Sequence, residues 1–458
     1  MSLSVKPQIT APLDPGFAPA ILHHRHQMTV AKASRESCPL IISLERENGL
    51  CSRFEALVKR QPDAMTLNLV ERMVKFLLWS RGGWRLWLAG PPAIGDYIKR
   101  TYSPAGLRRF DADLMSRVYE YPFEVVLVAP EHVPAARESA AALGGHLDGC
   151  RLGFDLGASD YKVAAVNQGE VVYSEEFHWQ PKDQPDPHYH YELLNAGLKK
   201  AAAHLPRVDA IGGSSAGVIV DNKIMVASLF RAVPADRFDD AKNIFHRLRS
   251  EWNVPLEVMN DGDVTALAGA MSLKVNGVLG VAMGSSEAGG YLDANGRMTG
   301  WLSELAFAPV DYNLRAAADE WSGDQGVGAL YFSQQAVGKL LPAAQIELPK
   351  EMGLPEKLKE VQKLMQAGDP RAAKIYETIG VYLGYTIPLY AEYYDFQHLL
   401  VLGRVTTGAG GDLVLAKARE VLAAEFPSHA EKIRLHVPDE KMRRVGQAVA
   451  AASLPEIC

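Results

Sequence analysis

Cysteine is scarce in this chain of 458 residues, and its four cysteines form no Cys-x-x-Cys pair. The wide spacing of Cys38, Cys51, Cys150 and Cys458 suggests neither a zinc site nor a disulfide framework. No run of roughly eighteen apolar residues exists, which excludes an ordinary membrane span. The N-terminus also lacks the charged-then-apolar pattern of a signal peptide, so we expect a cytoplasmic protein.

A large excess of charge is also missing. The net charge is −6, and charged residues make up 22% of the chain against 48% hydrophobic residues. This balance is ordinary for a globular protein and argues against a general nucleic-acid binder. The length exceeds what one hydrophobic core usually supports, which predicts two or three domains.

The chain is organised around Gly153–Val166, in which an apolar strand leads to Asp155, turns, and leaves as a second strand. Because Gly157, Ala158 and Ser159 carry little bulk, their backbone N–H groups can approach an anion closely. Asp155 at the strand end can hold hydrated Mg²⁺ beside that anion. An ordinary hairpin with an aspartate in its turn is the alternative. A Walker A loop is excluded because a strand follows the turn.

Strands and helices alternate after this turn, which indicates an α/β domain. A short strand at Leu256–Met259 leads to Asn260 and Asp261, and a helix follows. The strand Val278–Met283 then opens into Gly284, Ser285 and Ser286 before a second strand, which repeats the first meander. Two such turns suggest a duplicated α/β fold with a nucleotide between its halves.

The last third reads as mainly helical. His398–Leu402 is a predicted strand that ends at Gly403, and Gly410 and Gly411 precede a helix. A strand followed by a glycine-rich turn and a helix N-terminus can hold a nucleotide through backbone contacts.

The first 150 residues read as a mixture of short elements, which predicts an α+β region. Residues 1–35 look like an arm or a partly disordered segment. Pro39–Val58 has a hairpin pattern around Asn48 and Gly49. A DNA-binding winged helix is the alternative, but Leu67–Trp79 is the clear helix here and Arg108-Arg109 falls in a loop-like stretch.

Taken in order, the motifs resemble those of the ASKHA superfamily, which contains hexokinases, actin and heat-shock ATPases, and within it the ROK family of bacterial sugar kinases and repressors. The resemblance runs from about Arg151 to Leu454. The matching motifs are the first phosphate motif at Asp155–Ser159, the base motif at Asn260–Asp263, the second phosphate loop at Gly284–Gly290, the sugar-binding stretch at Gly300–Phe307, and the adenosine loop from Leu402-Gly403 onward.

The resemblance implies a duplicated RNase H-like fold of two lobes, 151–270 and 271–458, after an N-terminal α+β extension, 1–150, of unknown role. It implies an ATP-dependent sugar kinase, cytoplasmic and homodimeric, in which Asp261 is the catalytic base. The implied ligands are a sugar bound by Asn260 and Glu304, Mg²⁺ held by Asp155, phosphates bound by Gly157–Ser159 and Gly284–Ser286, and adenosine bound by Gly403, Gly410 and Gly411.

Each of these roles has a plainer alternative. Asp261 can be a helix N-cap, for which aspartate is favoured. Asn260 can be a turn residue, and Glu304 can be an exposed residue at a helix end.

The sequence also departs from the family pattern. Phe307 stands in place of a histidine, Ala329 in place of a sugar-binding glutamate, and residues 323–333 contain no cysteine where a zinc motif is expected. Glu287 adds a carboxylate beside the second phosphate loop, which is unfavourable near a triphosphate unless it points away or reaches a metal. These departures support a second hypothesis, a sugar-sensing or regulatory protein that has lost phosphoryl transfer. A transcription regulator is the third.

Overall fold

The structure, a computed structural model, describes residues 5–139, 143–437 and 440–457, with the backbone alone for 440–445. Cys458 lies outside the described residues. Contacts divide the chain into two compact units. The first contains Met1–Ser139, Val281–Gly289 and Trp301–Val437, and the second contains Ala140–Gly280, Gly290–Gly300 and Pro438–Cys458. The domain boundaries expected at residues 151 and 271 stay a prediction. Across the described ranges, no helix is long and apolar enough to cross a membrane.

Helices and strands alternate through the N-terminal region. In chain order they are α1 (Ala20–Ala33), β1 (Ser37–Glu45), β2 (Cys51–Lys59), α2 (Ala64–Arg81), β3 (Arg85–Ala89), α3 (Pro92–Thr101), α4 (Arg109–Tyr119) and β4 (Glu124–Leu127). These strands form one sheet in the order β2-β1-β3-β4. The predicted hairpin is confirmed: β1 and β2 pair antiparallel, and Asn48 and Gly49 have φ values of 55° and 68° in the turn.

The central region begins with a meander and continues as alternating elements. They are β5 (Cys150–Leu156), β6 (Asp160–Asn167), β7 (Glu170–His178), α5 (Pro187–Ala202), β8 (Ala210–Ser215), β9 (Val218–Val220), β10 (Lys223–Val226), α6 (Phe238–Lys242), α7 (Ile244–Trp252), β11 (Leu256–Asn260) and α8 (Asp261–Leu273). The main sheet has the order β11-β8-β5-β6-β7, with β5, β8 and β11 parallel. The predicted α/β class is confirmed.

The remaining elements are mostly helical. They are β12 (Val278–Met283), β13 (Glu287–Leu292), α9 (Gln334–Leu340), α10 (Leu354–Gln366), α11 (Pro370–Tyr390), β14 (His398–Leu402), α12 (Ala409–Glu425), α13 (Pro427–Lys432), β15 (Arg434–His436) and α14 (Glu440–Ala452). The strands form a sheet in the order β13-β12-β14-β15.

Glycines on two strands of the main sheet allow helix α14 to pack closely. A Cβ atom at Gly153 on β5 would lie 1.9 Å from the carbonyl oxygen of Ala448, and one at Gly212 on β8 would lie 1.7 Å from that of Ala451. Any larger residue at these positions would push the helix off the sheet. The apolar side chains of β5, such as Leu152 and Phe154, are fully buried within the same unit.

The N-terminal region contains helices that the sequence reading missed. Residues 20–33 form α1, and just before it Phe17 packs against Tyr382 with ring centroids 4.7 Å apart. The loop expected at Arg108-Arg109 is wrong, because α4 begins at Arg109. Neither α1 nor α4 has a side-chain N-cap, so the usual start signal was absent.

Candidate functional site

The predicted metal ligand Asp155 and the predicted base Asp261 lie at the carboxyl ends of two parallel strands of the second unit, β5 and β11, which flank β8. Asp155 is on β5, opposite Ser214 of β8, and Ser215 of β8 is opposite Asn260 of β11. Asp261 follows directly as the first residue of α8. Ligand sites in parallel α/β sheets form at this edge, where the strands end.

Desolvation, with no counter-ion in a salt bridge, is the main influence on the pKa values of Asp155 and Asp261. Burial raises the pKa of Asp155 to about 6; a hydrogen bond from Ser214 Oγ (2.8 Å) opposes the rise, and the negative charge of Asp261 adds to it. Burial also raises the pKa of Asp261, against hydrogen bonds from backbone amides. Lys162, which lowers the pKa of Asp155, is itself paired with Glu176 at 3.4 Å. Within the described residues, no salt bridge reaches either carboxylate.

Asn260, rather than Asp261, is the N-cap of α8. Its Oδ1 accepts a hydrogen bond from the Gly262 amide (2.7 Å), and its Nδ2 donates to the Gly217 carbonyl (2.7 Å). The cap alternative for Asp261 is therefore not what the structure shows. The carboxylate of Asp261 sits at the positive end of the helix dipole, where a negative charge is stabilised.

Asp263 is a third carboxyl group near the pair, and the sequence reading gave it no role. It is 8% exposed, and its Oδ1 accepts a hydrogen bond from the Tyr291 amide (3.3 Å). Burial raises its pKa to about 7, and the charge of Asp261 adds to the rise. Only its place two residues after Asp261 could have pointed to it.

The first predicted phosphate turn is closed by its own backbone. The Gly157 amide donates to the Asp160 carbonyl (2.9 Å), and Trp179 donates to the carbonyls of Ser159 and Gly157. These hydrogen bonds stabilise the turn, and the Gly157 amide, which already donates to Asp160, is not available to a phosphate. Of the predicted phosphate-binding amides here, those of Ala158 and Ser159 remain as candidates.

The second predicted phosphate turn belongs to the first unit and is built alike. The Gly284 amide donates to the Ser286 carbonyl (3.0 Å), and the Gly284 carbonyl accepts from the Gln334 amide (2.9 Å). This leaves the amides of Ser285 and Ser286 as the candidates for phosphate.

Glu287, which follows this turn, points into the core of the first unit. It is 3% exposed, Tyr390 Oη donates to its Oε1 (2.7 Å), and burial raises its pKa to about 8. A Cβ atom at Gly328 would lie 2.0 Å from its Oε2, so only glycine leaves room for this carboxyl group. The group is therefore largely protonated at neutral pH, which removes the expected conflict with phosphate.

The predicted adenosine loop, also in the first unit, depends on glycine at each named position. Gly403 has a φ of 101°, and a Cβ atom there would lie 2.4 Å from the Met283 carbonyl oxygen. Gly410 and Gly411 lie in the first turn of α12, a position that attracts anions, although the Gly411 amide already donates to the Gly408 carbonyl (2.9 Å). A Cβ atom on Gly411 would lie 2.0 Å from the Thr406 carbonyl oxygen.

Residues 301–307 of the predicted sugar-binding stretch lie in the first unit, against helix α2. The Glu304 amide donates to the Trp79 carbonyl (3.0 Å). Phe307, which replaces the expected histidine, packs against Trp79 and Phe110 with ring centroids 4.3 and 5.6 Å away. The aromatic side chain at 307 is thus part of a packed cluster. Ala329 lies in a short buried 3₁₀ turn, Gly328–Leu330.

A buried ion network joins the N-terminal region to residues 319–324. Asp324 forms salt bridges with Arg72 (2.9 Å), Lys75 (3.2 Å) and Arg108 (2.6 Å). Glu71 accepts hydrogen bonds from Arg72 and Arg108. Arg108 is 6% exposed, so this side chain is not presented to nucleic acid.

The predicted site residues fall into the two compact units. Asp155, Gly157–Ser159, Asn260 and Asp261 belong to the second. The members of the first are Gly284, Ser285, Ser286, Glu304, Gly403, Gly410 and Gly411.

No family model and no curated protein matches the sequence of this chain. Solved structures do match its fold. A ROK hexokinase from Thermus thermophilus has a TM-score of 0.53 at 17% identity, covering 67% of this chain and 97% of that one. A ROK family transcriptional regulator, a homologue of the E. coli MLC protein, has a TM-score of 0.53 at 17% identity, covering 67% and 79%.

A ROK family glucokinase from Streptomyces griseus, solved with glucose and AMPPNP, is also similar. Its TM-score is 0.50 at 18% identity, and the match covers 67% of this chain and 99% of the glucokinase. These identities are low, and what they establish is the fold. The chain therefore has the fold of the ROK sugar kinases and of the ROK regulator, as the order of its motifs indicated.

Proposed function

We propose that the protein is an ATP-dependent sugar kinase that transfers the γ-phosphate to a sugar hydroxyl. The observation that carries the proposal is that the desolvated carboxylates of Asp155 and Asp261 stand at the ends of β5 and β11, the two strands that flank β8, with no salt bridge to either in the described chain. Buried like charges with raised pKa values are typical of functional sites. A ROK hexokinase and a ROK glucokinase share this fold, which supports phosphoryl transfer to a sugar as the reaction of these two carboxylates.

Asp261 is the proposed general base. Its raised pKa makes it a better proton acceptor than an ordinary aspartate, and the attacking sugar hydroxyl has to lose its proton. Glu304 is proposed to accept hydrogen bonds from the other sugar hydroxyls, and Asn260 is proposed to orient one of them through its amide.

Asp155 is proposed to hold Mg²⁺ through water. A half-buried carboxylate that forms no salt bridge in the described chain and has a hydroxyl neighbour, Ser214, suits a hard cation that keeps part of its hydration shell. When bound, the cation supplies charge neutralisation for the phosphates. The amides of Ala158, Ser159, Ser285 and Ser286 are proposed to bind the phosphates. Gly403, Gly410 and Gly411 are proposed to leave room for adenosine.

The test is ATP consumption in the presence of a panel of aldohexoses and their N-acetyl derivatives. We expect turnover with at least one sugar, and its loss in Asp261→Ala. No turnover with any sugar of the panel, from protein that melts cooperatively, would contradict the proposal.

A sugar-sensing or regulatory role is the second candidate, favoured by the packed Phe307 and by the similarity to a ROK regulator. Calorimetry separates the two: sugar binding without ATP turnover supports the sensor. A DNA regulator additionally requires salt-sensitive DNA binding. A cytoplasmic homodimer is part of the kinase proposal, and light scattering on the purified chain checks the dimer.

A further inference from the structure

The N-terminal region contacts the predicted sugar-binding stretch directly, through residues that lie outside all of the matching motifs. We propose that the end of helix α2 is a specificity-determining part of the sugar site, because it fixes the position of residues 301–304. This inference rests on the proposed kinase function and adds to it a role for the N-terminal extension.

Three successive carbonyl groups at the end of α2 hold three successive amides of the stretch. Glu304 donates to Trp79 (3.0 Å), Ser303 donates to Ser80 (3.0 Å), and Leu302 donates to Arg81 (3.3 Å). The last carbonyls of a helix have no partner within the helix and are usually satisfied by water or a cap. Here the stretch takes the place of the cap, so the helix end and the stretch are ordered together.

The side chain of Arg81 packs on Trp301, the second residue of the stretch. Its guanidinium carbon lies 3.4 Å from the centroid of the Trp301 ring and 4.9 Å from that of Tyr394. Arg81 also donates a hydrogen bond to the Tyr393 carbonyl. The indole Nε1 of Trp301 donates to Glu138 Oε2 (3.0 Å). Trp301 is therefore held between a cation on one ring face and a carboxylate at its ring nitrogen.

The far end of the stretch is held by Trp79. This side chain is 0% exposed, donates from Nε1 to Asp111 Oδ1 (2.6 Å), and packs on Phe307. Both ends of 301–307 are thus attached to the extension, with Glu304 between them. Since Glu304 is the proposed acceptor for sugar hydroxyls, the choice of sugar depends on where the extension places it.

The test is steady-state kinetics of Arg81→Ala, Arg81→Lys and the exposed control Arg60→Ala on the full chain. The sugar that the unmodified protein phosphorylates fastest is the probe. We expect Arg81→Ala to raise the sugar KM by about 10-fold, to change the ranking of the hexoses, and to leave the ATP KM within about two-fold. Arg81→Lys keeps a cation over the ring and should recover part of the loss.

Equal changes in the KM values for sugar and ATP, or no change in either, would overturn the inference while leaving the kinase intact. If Arg81→Ala does not fold, Trp301→Phe serves instead, because it keeps an aromatic ring and loses only the hydrogen bond to Glu138. The same selective rise in sugar KM is expected, smaller in size.

Absence of turnover with every sugar overturns the proposed kinase function instead. Hydrogen exchange at residues 302–304 then decides whether the helix end orders the stretch. We expect these amides to exchange at least about 10-fold faster in Arg81→Ala, with the amides of α8 unchanged as a reference. Unchanged exchange at 302–304 overturns the inference.

Discussion

Two regions of this protein bury charged side chains, and they do so in opposite ways. The network in the first unit balances three acids against three bases: Glu71, Asp111 and Asp324 against Arg72, Lys75 and Arg108. The group in the second unit contains Asp155, Asp261 and Asp263, whose pKa values are all raised by burial. One region is neutral as a whole, and the other collects like charge.

This difference in charge balance distinguishes buried ions that stabilise the fold from carboxylates that are candidates for catalysis. Balanced buried ions tie distant segments together, and losing one partner leaves an uncompensated charge that destabilises the fold. Buried carboxylates without a counter-ion destabilise the fold. They are found mainly at functional sites, where a ligand or a proton neutralises the charge. We therefore interpret the ion network as a structural link between the N-terminal region and Asp324, and we propose the aspartate group as the reactive site.

The largest effect is expected from Asp261→Asn, which removes the proposed base and keeps its shape. We expect kcat to fall by about 10²- to 10⁴-fold, since general-base catalysis is worth that much. The free energy of unfolding should stay equal or rise, because a buried charge is lost. The exposed control Asp221→Asn, in the same unit, should keep full activity; equal losses in the two variants would contradict the assignment.

Lys75→Met tests the balanced network. Lys75 is fully buried between Asp111 (2.7 Å) and Asp324 (3.2 Å), so its loss leaves those carboxylates short of a cation. We expect the free energy of unfolding to fall by about 3–5 kcal/mol in chemical denaturation. The exposed Lys363→Met should change it by less than about 0.5 kcal/mol. A similarly small change in Lys75→Met and Lys363→Met would contradict a stabilising role for the network.

Asp155→Asn should alter the pH dependence of stability. The pKa of Asp155 is about 6 in the folded protein against an ordinary 3.8, so its contribution is fully present below pH 3.8 and is lost as pH rises through 6. The asparagine variant should lose this slope and gain at most about 3 kcal/mol at neutral pH. Denaturation curves at several pH values measure it, with Asp236→Asn as an exposed control. Parallel curves for the protein and the variant would rule out the raised pKa.

Gly328→Ala tests the packing of a third kind of buried group, the single neutral carboxyl group of Glu287. The added methyl would lie 2.0 Å from Glu287 Oε2 and 2.5 Å from the Leu305 carbonyl oxygen. Overpacking of this kind costs about 1–3 kcal/mol, which thermal or chemical unfolding detects. Gly446→Ala is the control, because its Cβ atom would meet nothing closer than 3.8 Å. Equal stability of the two variants would contradict the packing described for Glu287.

The sequence predicts local features well where a single short signal decides them. Asn48-Gly49 marked the β1–β2 hairpin, and the strand that ends at Asn260 led directly to Asp261. The start of α3 also carries a short local signal, since Pro92 stands at its first helical position.

Long-range features were not predictable in this way. Asp324 meets Arg72 across 252 residues, and Glu287 depends on Tyr390, which is 103 residues away. The direction in which Glu287 points follows from a gap left by Gly328, which no local pattern encodes. The same holds for the contact between α2 and residues 302–304.

The most direct test of the unbalanced carboxylate pair is the carboxyl ¹³C titration of Asp155 by NMR, assigned by its disappearance in Asp155→Asn. We expect a titration midpoint near 6 in the protein alone. With Mg²⁺ and AMPPNP the midpoint should fall by at least about one pH unit, because a bound cation favours the ionised form. A midpoint near the ordinary 3.8 would contradict the unbalanced carboxylate pair, and one that Mg²⁺ and nucleotide leave unmoved would contradict the cation site at Asp155.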